Sequence, residues 1–190
     1  MIKDSWDPYV LLALHKIQKQ MNTKEFGKLV QHGNEYLQRD WIESNTNIEF
    51  DERCDDDHNE AGYDHITING LKIQSKFRSS SLHLENTRRH SVKNKGSASK
   101  TGHTAYSVGE ADVYVFTIPK NKKDKAALLN SPEGMEILAI PEYALIDPNN
   151  PGFLRTRVHA PVVKKFKGLS IQTLQDLDSI KSQMNHEVPQ

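Results

Sequence analysis

Asp64-His65-Ile66-Thr67-Ile68-Asn69-Gly70-Leu71-Lys72-Ile73-Gln74-Ser75-Lys76-Phe77 is the stretch on which the fold turns. Residues 64–68 alternate polar and apolar, which predicts a strand with one buried face. Asn69-Gly70 is the strongest short hairpin signal, since both residues tolerate the positive φ that a tight turn requires. Leu71 to Phe77 alternate again and predict the return strand. A two-residue turn pairs Ile68 with Leu71, Ile66 with Ile73 and Asp64 with Ser75, and paired residues share a face. Asp64 then points away from Gln74 and Lys76. A bend or bulge near Asp64, or a three-residue turn with Gly70 as its left-handed residue, brings all three onto one face. The apolar pattern favours the two-residue turn, so a bend is expected.

Outward from the hairpin, helices come first. Asp7-Pro8 gives a cap and a first-turn proline, and Leu11, Leu12, Ile17 and Met21 predict a helix over 5–22. Thr23 caps a second helix to about residue 43, with Phe26, Leu29, Val30, Gly33 and Leu37 as its apolar stripe. Residues 51–60 form an acidic stretch, read as a solvated loop. After the hairpin, Val113 to Ile118 reads as a fully buried strand and Glu136 to Ile140 as another. Helical residues are expected near 125–129 and a turn or short helix at Pro141 to Leu145. Pro148 to Gly152 reads as a loop, Arg155 to Val163 as an edge strand and Ser170 to Met184 as a terminal helix. This order predicts an α/β fold, with α+β as the alternative: a mixed sheet flanked by helices in one domain.

Composition narrows the function classes. Among 190 residues, 25 Lys+Arg balance 25 Asp+Glu, so net charge favours neither nucleic acid nor membrane. Hydrophobic residues make up 36%, lean for a folded domain but above the disordered class. The longest apolar run, Tyr9 to Leu14, is too short to span a bilayer, and the polar N-terminus does not read as a signal peptide. A cytoplasmic protein without a membrane partner is expected. The single cysteine, Cys54, excludes a disulfide framework and a cysteine-rich zinc site. The nine histidines are scattered without metal spacing. Residues 78–107 are poor in aliphatics and carry six cations against one acid. A long polar segment inside a compact domain is usually functional or disordered. Its Arg78, Arg88, Arg89, Lys93 and Lys95 are candidates for phosphate contact, with ordering on DNA expected.

An acid on one hairpin strand and a lysine on the next suit metal-dependent phosphodiester hydrolysis. The acid binds Mg²⁺, which polarises the phosphate and lowers the pKa of a bound water, while the lysine orients that water or stabilises developing charge. Asp64, a nine-residue gap and Gln74-Ser75-Lys76 resemble the signature of the PD-(D/E)XK nuclease superfamily, and in particular the type II restriction endonucleases. The resemblance covers residues 25–120. Tyr63 stands where the family has proline, and Gln74 where it usually has a second acid. The resemblance implies a single nuclease domain over 1–190, with a helical N-terminal region over 1–45, a catalytic core of about 46–145 and a C-terminal strand and helix over 153–190. It implies Asp64, Gln74 and Lys76 as catalytic residues. Mg²⁺ would be held by Asp64, Gln74 and the Ser75 carbonyl, with Glu35 or Glu60 as a compensating acid. Double-stranded DNA and a homodimer are the implied partners, with no nucleotide cofactor. A nicking, junction-resolving or transposon-end nuclease is the near alternative. A DNA-binding module with a decayed site is a further one, and an interaction protein with a fortuitous hairpin the last.

Overall fold

The computed structural model describes residues 23–51, 63–77, 82–86, 104–120 and 135–186. The expected helices over 5–22 and 125–129, and Glu60, Arg78, Arg88, Arg89, Lys93 and Lys95, lie outside them. The described elements are α1 (Thr23–Asn45), β1 (His65–Ile66), β2 (Lys72–Phe77), β3 (Glu85–Asn86), β4 (Thr104–Ala105), β5 (Val113–Pro119) and β6 (Met135–Pro141). A 3-10 turn follows (Glu142–Ala144), then β7 (Ile146–Asp147), β8 (Asn150–Leu154), α2 (Ala160–Phe166) and α3 (Ser170–His186). The content is mixed α and β, as expected. One four-stranded sheet runs β1-β2-β5-β6, with β2/β5 parallel and the outer pairs antiparallel.

Two apolar layers sandwich this sheet, because its central strands carry apolar side chains on both faces. On one face Ile73, Val113, Val115, Ile137 and Ala139 pack with Ile42 of α1 and Leu174 of α3. On the other, Tyr114, Phe116, Leu138 and Ile140 pack with Leu84, Tyr106, Leu154, Val158 and Phe166. The outer edge of β6 is covered by Ser170: its hydroxyl accepts from Ala139 N–H (3.1 Å) and donates to the Ile137 carbonyl (2.6 Å). These two bonds occupy edge groups that another strand would otherwise pair with.

Three expectations need correction. The hairpin register is His65↔Ile73 and Ile66↔Lys72, one residue from the two-residue-turn pairing. Thr67 N–H bonds Leu71 O (3.0 Å), and Gly70 has φ +85, so three residues span the turn. The reason lies far along the chain. Asp178 on α3 accepts from Thr67 Oγ1 (2.6 Å) and Asn69 Nδ2 (2.8 Å). Thr67 is therefore buried, and Ile68 stays exposed. Second, no edge strand runs from Arg155 to Val163: Ala160–Phe166 is helical with Pro161 in its first turn, where its missing N–H costs nothing. Third, Pro148 to Gly152 is the tip and start of the β7/β8 hairpin rather than a loop alone. The expected strands at 113–118 and 136–140, the short turn within 141–145 and the terminal helix are all present, the strands and the helix longer by one or two residues.

Candidate functional site

Residues paired across strands share a face, so the observed register decides what Asp64 can reach. Continuing His65↔Ile73 by one residue sets Asp64 opposite Gln74. The chain also bends at Asp64, whose N–H donates to the Ile73 carbonyl (2.9 Å). Asp64, Gln74 and Lys76 thus lie on the face of Tyr114 and Phe116, which pair with Gln74 and Lys76 across β5. The three-residue turn by itself sets this face, and the chain also bends at Asp64.

Asp64 is nearly buried, and its Oδ2 accepts two N–H groups. One is the Ser75 backbone N–H at 2.8 Å. The other is the Gln74 side-chain amide. A strand residue projects its N–H and C=O toward the same edge, so the Ser75 carbonyl also faces the β1 side. Oxygen donors of the class Mg²⁺ takes, a carboxylate, an amide and a main-chain carbonyl, are therefore gathered at one spot. In this arrangement Gln74 serves as a donor to Asp64. Presenting its Oε1 to a cation requires the amide to turn over. Among the described residues no three His, Cys, Asp or Glu side chains converge. Glu35 is half-buried on α1, one turn before Gln38.

The lysine is held from the second layer. Lys76 Nζ donates to Tyr106 Oη at 2.5 Å, with the ring centroid at 4.9 Å. Those two distances place the ammonium beyond the oxygen and not over the ring face. Tyr106 is itself fixed edge-on against Tyr114 (5.3 Å, 72°). Lys72, at the other end of the same strand, lies 5.4 Å from the Tyr63 ring centroid.

Beneath the site, on the opposite face, runs a polar line of α1. Asn34, Gln38 and Ile42 are buried toward the sheet, while Leu37 is half-buried; the side chains of Phe26, Leu29, Val30 and Gly33 in the expected stripe lie outside the described ones. Gln38, 1% exposed, donates to Thr117 Oγ1 (2.6 Å) and the Val115 carbonyl (3.1 Å), and its Oε1 accepts from the Ser75 hydroxyl. A buried amide is tolerated because both its ends are satisfied. One helical turn away, Asn34 Oδ1 is buried with no hydrogen-bond partner among the described residues.

Sequence reasoning missed Tyr106 and Gln38. Tyr106 is a lone aromatic in a polar stretch, without periodicity to mark it. Gln38 occupies an inward helix position that an apolar-stripe search discards. Asp112 and Glu110, just before β5, have structural partners: Asp112 accepts the Lys72 N–H (2.9 Å) and pairs with Lys181 (2.8 Å), and Glu110 accepts the Ser107 N–H (3.0 Å). No helix among the described residues is long and apolar enough to cross a membrane. Compared with family models, with curated proteins and with solved structures, the chain has no match.

Proposed function

We propose that this chain is a Mg²⁺-dependent endonuclease that hydrolyses phosphodiester bonds in double-stranded DNA, in the manner of a restriction enzyme. The observation that carries the reading is the hairpin register, which places Asp64, Gln74 and Lys76 on one face with the Ser75 peptide bonded to Asp64. Asp64, the Ser75 carbonyl and a turned-over Gln74 amide are the residues that would hold the metal. A Mg²⁺ held there would supply polarisation of the scissile phosphate and a lower pKa for a bound water. Lys76 supplies positive charge toward the phosphate oxygens, and Tyr106 keeps its ammonium in one position. The rigid strand fixes the spacing between acid and lysine. Cutting both strands of a duplex at a symmetric site takes two copies of the chain.

One observation favours a second reading, a DNA-binding module whose metal site has decayed. The Gln74 amide satisfies the Asp64 carboxylate with a neutral donor, which no cation is needed to complete. Incubation of the protein with plasmid DNA and Mg²⁺ or EDTA separates the two. Discrete linear fragments with Mg²⁺ alone support the endonuclease. Nicks or a preference for branched substrates support a repair-type or junction-resolving relative. Binding without cutting supports the decayed module.

A further inference from the structure

The zero net charge of the chain is a cancellation of unlike regions. Residues 78–107 carry six cations and one acid, and residues 148–175 carry five cations and no acid, which leaves a surplus of ten acids on the remainder. The second of these stretches lies within the described structure. Its cations are Arg155, Arg157, Lys164, Lys165 and Lys167. Arg157, Lys164, Lys165 and Lys167 are exposed. Lys167 pairs with Glu136 at 3.5 Å. Arg155 is committed to the fold through the Ile146 carbonyl (3.4 Å) and His159 Nδ1 (3.0 Å).

This segment is tied to the candidate site by backbone hydrogen bonds. Leu154 N–H donates to the Tyr106 carbonyl (2.8 Å), and Tyr106 holds Lys76. Leu84 N–H donates to Thr156 O (2.9 Å), and Val158 N–H to Leu82 O (2.8 Å). The segment that carries Arg155 and Arg157 is therefore bonded to Leu82, Leu84 and Tyr106, and Leu84 and Tyr106 belong to the apolar layer on the Asp64–Lys76 face. A helix dipole accounts for Lys164 and Lys165 in the last turn of α2. It does not account for Arg157, which precedes the helix on an extended segment.

We infer that the surface carrying Arg157, Lys164 and Lys165 seats the phosphate backbone of duplex DNA beside the site, an inference that rests on the endonuclease reading for its choice of partner. Phosphate contacts by exposed cations position a duplex without reading its sequence. Within residues 148–175 the aromatics are Phe166, buried, and Phe153, half-buried, so this stretch offers no exposed aromatic for the stacking that single strands require.

The test is fluorescence anisotropy of a short labelled duplex, in EDTA and over a salt series, with the full-length protein. The triple variant Arg157→Gln/Lys164→Gln/Lys165→Gln changes only exposed side chains and leaves Arg155 in place. It should weaken binding about tenfold or more at low salt and reduce the slope of log K against log salt by roughly two to three units. Arg39→Gln, on α1 across the sheet and paired with Glu43, should change neither. An unchanged slope in the triple variant overturns the proposal, as do equal losses in both variants, which indicate a diffuse field. Tighter binding to an RNA duplex of the same sequence overturns the choice of DNA. Wild-type protein that binds through these residues but cuts nothing with Mg²⁺ supports the seat and overturns the endonuclease reading, so the two failures are told apart.

Discussion

Gln74 is where the chemistry of the site is decided. Its amide donates to Asp64, so replacing it with glutamate sets two carboxylates side by side. Like charges raise each other's pKa, and a raised carboxyl pKa lowers stability as pH rises through the folded-state value. Gln74→Glu should therefore be less stable than wild type in EDTA at neutral pH, by about 1–3 kcal/mol, with the gap closing in acid. Mg²⁺ should reverse the loss, because a hard cation favours carboxylate over amide. Urea unfolding in EDTA and in Mg²⁺ measures both arms, and indifference to Mg²⁺ would count against Asp64 and position 74 as metal ligands. On the endonuclease reading, Tyr106 is a positioning residue acting through Lys76. Tyr106→Phe removes only the hydroxyl and should lower kcat about ten- to hundredfold with KM little changed. Single-turnover kinetics against substrate concentration separate that outcome from a general loss of folded protein.

Among the elements, the hairpin shows what sequence can and cannot convey. Alternation marks both strands, and Asn69-Gly70 marks the turn, because each signal is local. The register is not legible from this local pattern: Thr67 is buried on Asp178, more than a hundred residues away, and Ile68 is exposed. The same holds for α1. Its existence is readable, but its inward Gln38 depends on polar partners in the sheet that no periodicity announces. Helix α2 carries the signature of a strand because Val162 and Val163 are β-branched, and the first-turn position of Pro161 outweighs that preference. Asp178→Ala should cost about 2–3 kcal/mol, since Thr67 and Asn69 lose a charged acceptor. If the register depends on Asp178, amide exchange in the variant should speed up at Thr67 and Leu71 more than in β5 or β6. At the start of β5 a second pH effect is expected. Burial pushes the Glu142 carboxyl above its ordinary value and Asp112 adds to the rise, while the Gly109 N–H and Lys181 oppose it. The folded state then holds the Glu142 proton to higher pH than the unfolded chain, so this group's contribution declines as pH rises above the usual carboxylate range. Glu142→Gln should flatten that decline, as thermal midpoints across an acid-to-neutral series would show.

In the molecule as a whole, the sheet divides two tasks. One face is packed under α1 and α3 and carries the buried Gln38 network. The other carries Asp64, Gln74 and Lys76 beneath a layer whose exposed side is rich in cations. Acid and lysine on a rigid strand pair, beside a basic surface, is an arrangement suited to holding and cleaving a polyanion. Whether this face cuts DNA is decided by Lys76→Ala. Lys76 is half-exposed and lies at the margin of the core, so its loss should leave the fold intact. With Mg²⁺ and plasmid DNA, wild-type protein should cut while Lys76→Ala cuts orders of magnitude more slowly, and both should bind the duplex with similar affinity in EDTA. Cutting by Lys76→Ala at the wild-type rate, or no cutting by the wild-type protein, would overturn the assignment of this face as a nuclease site.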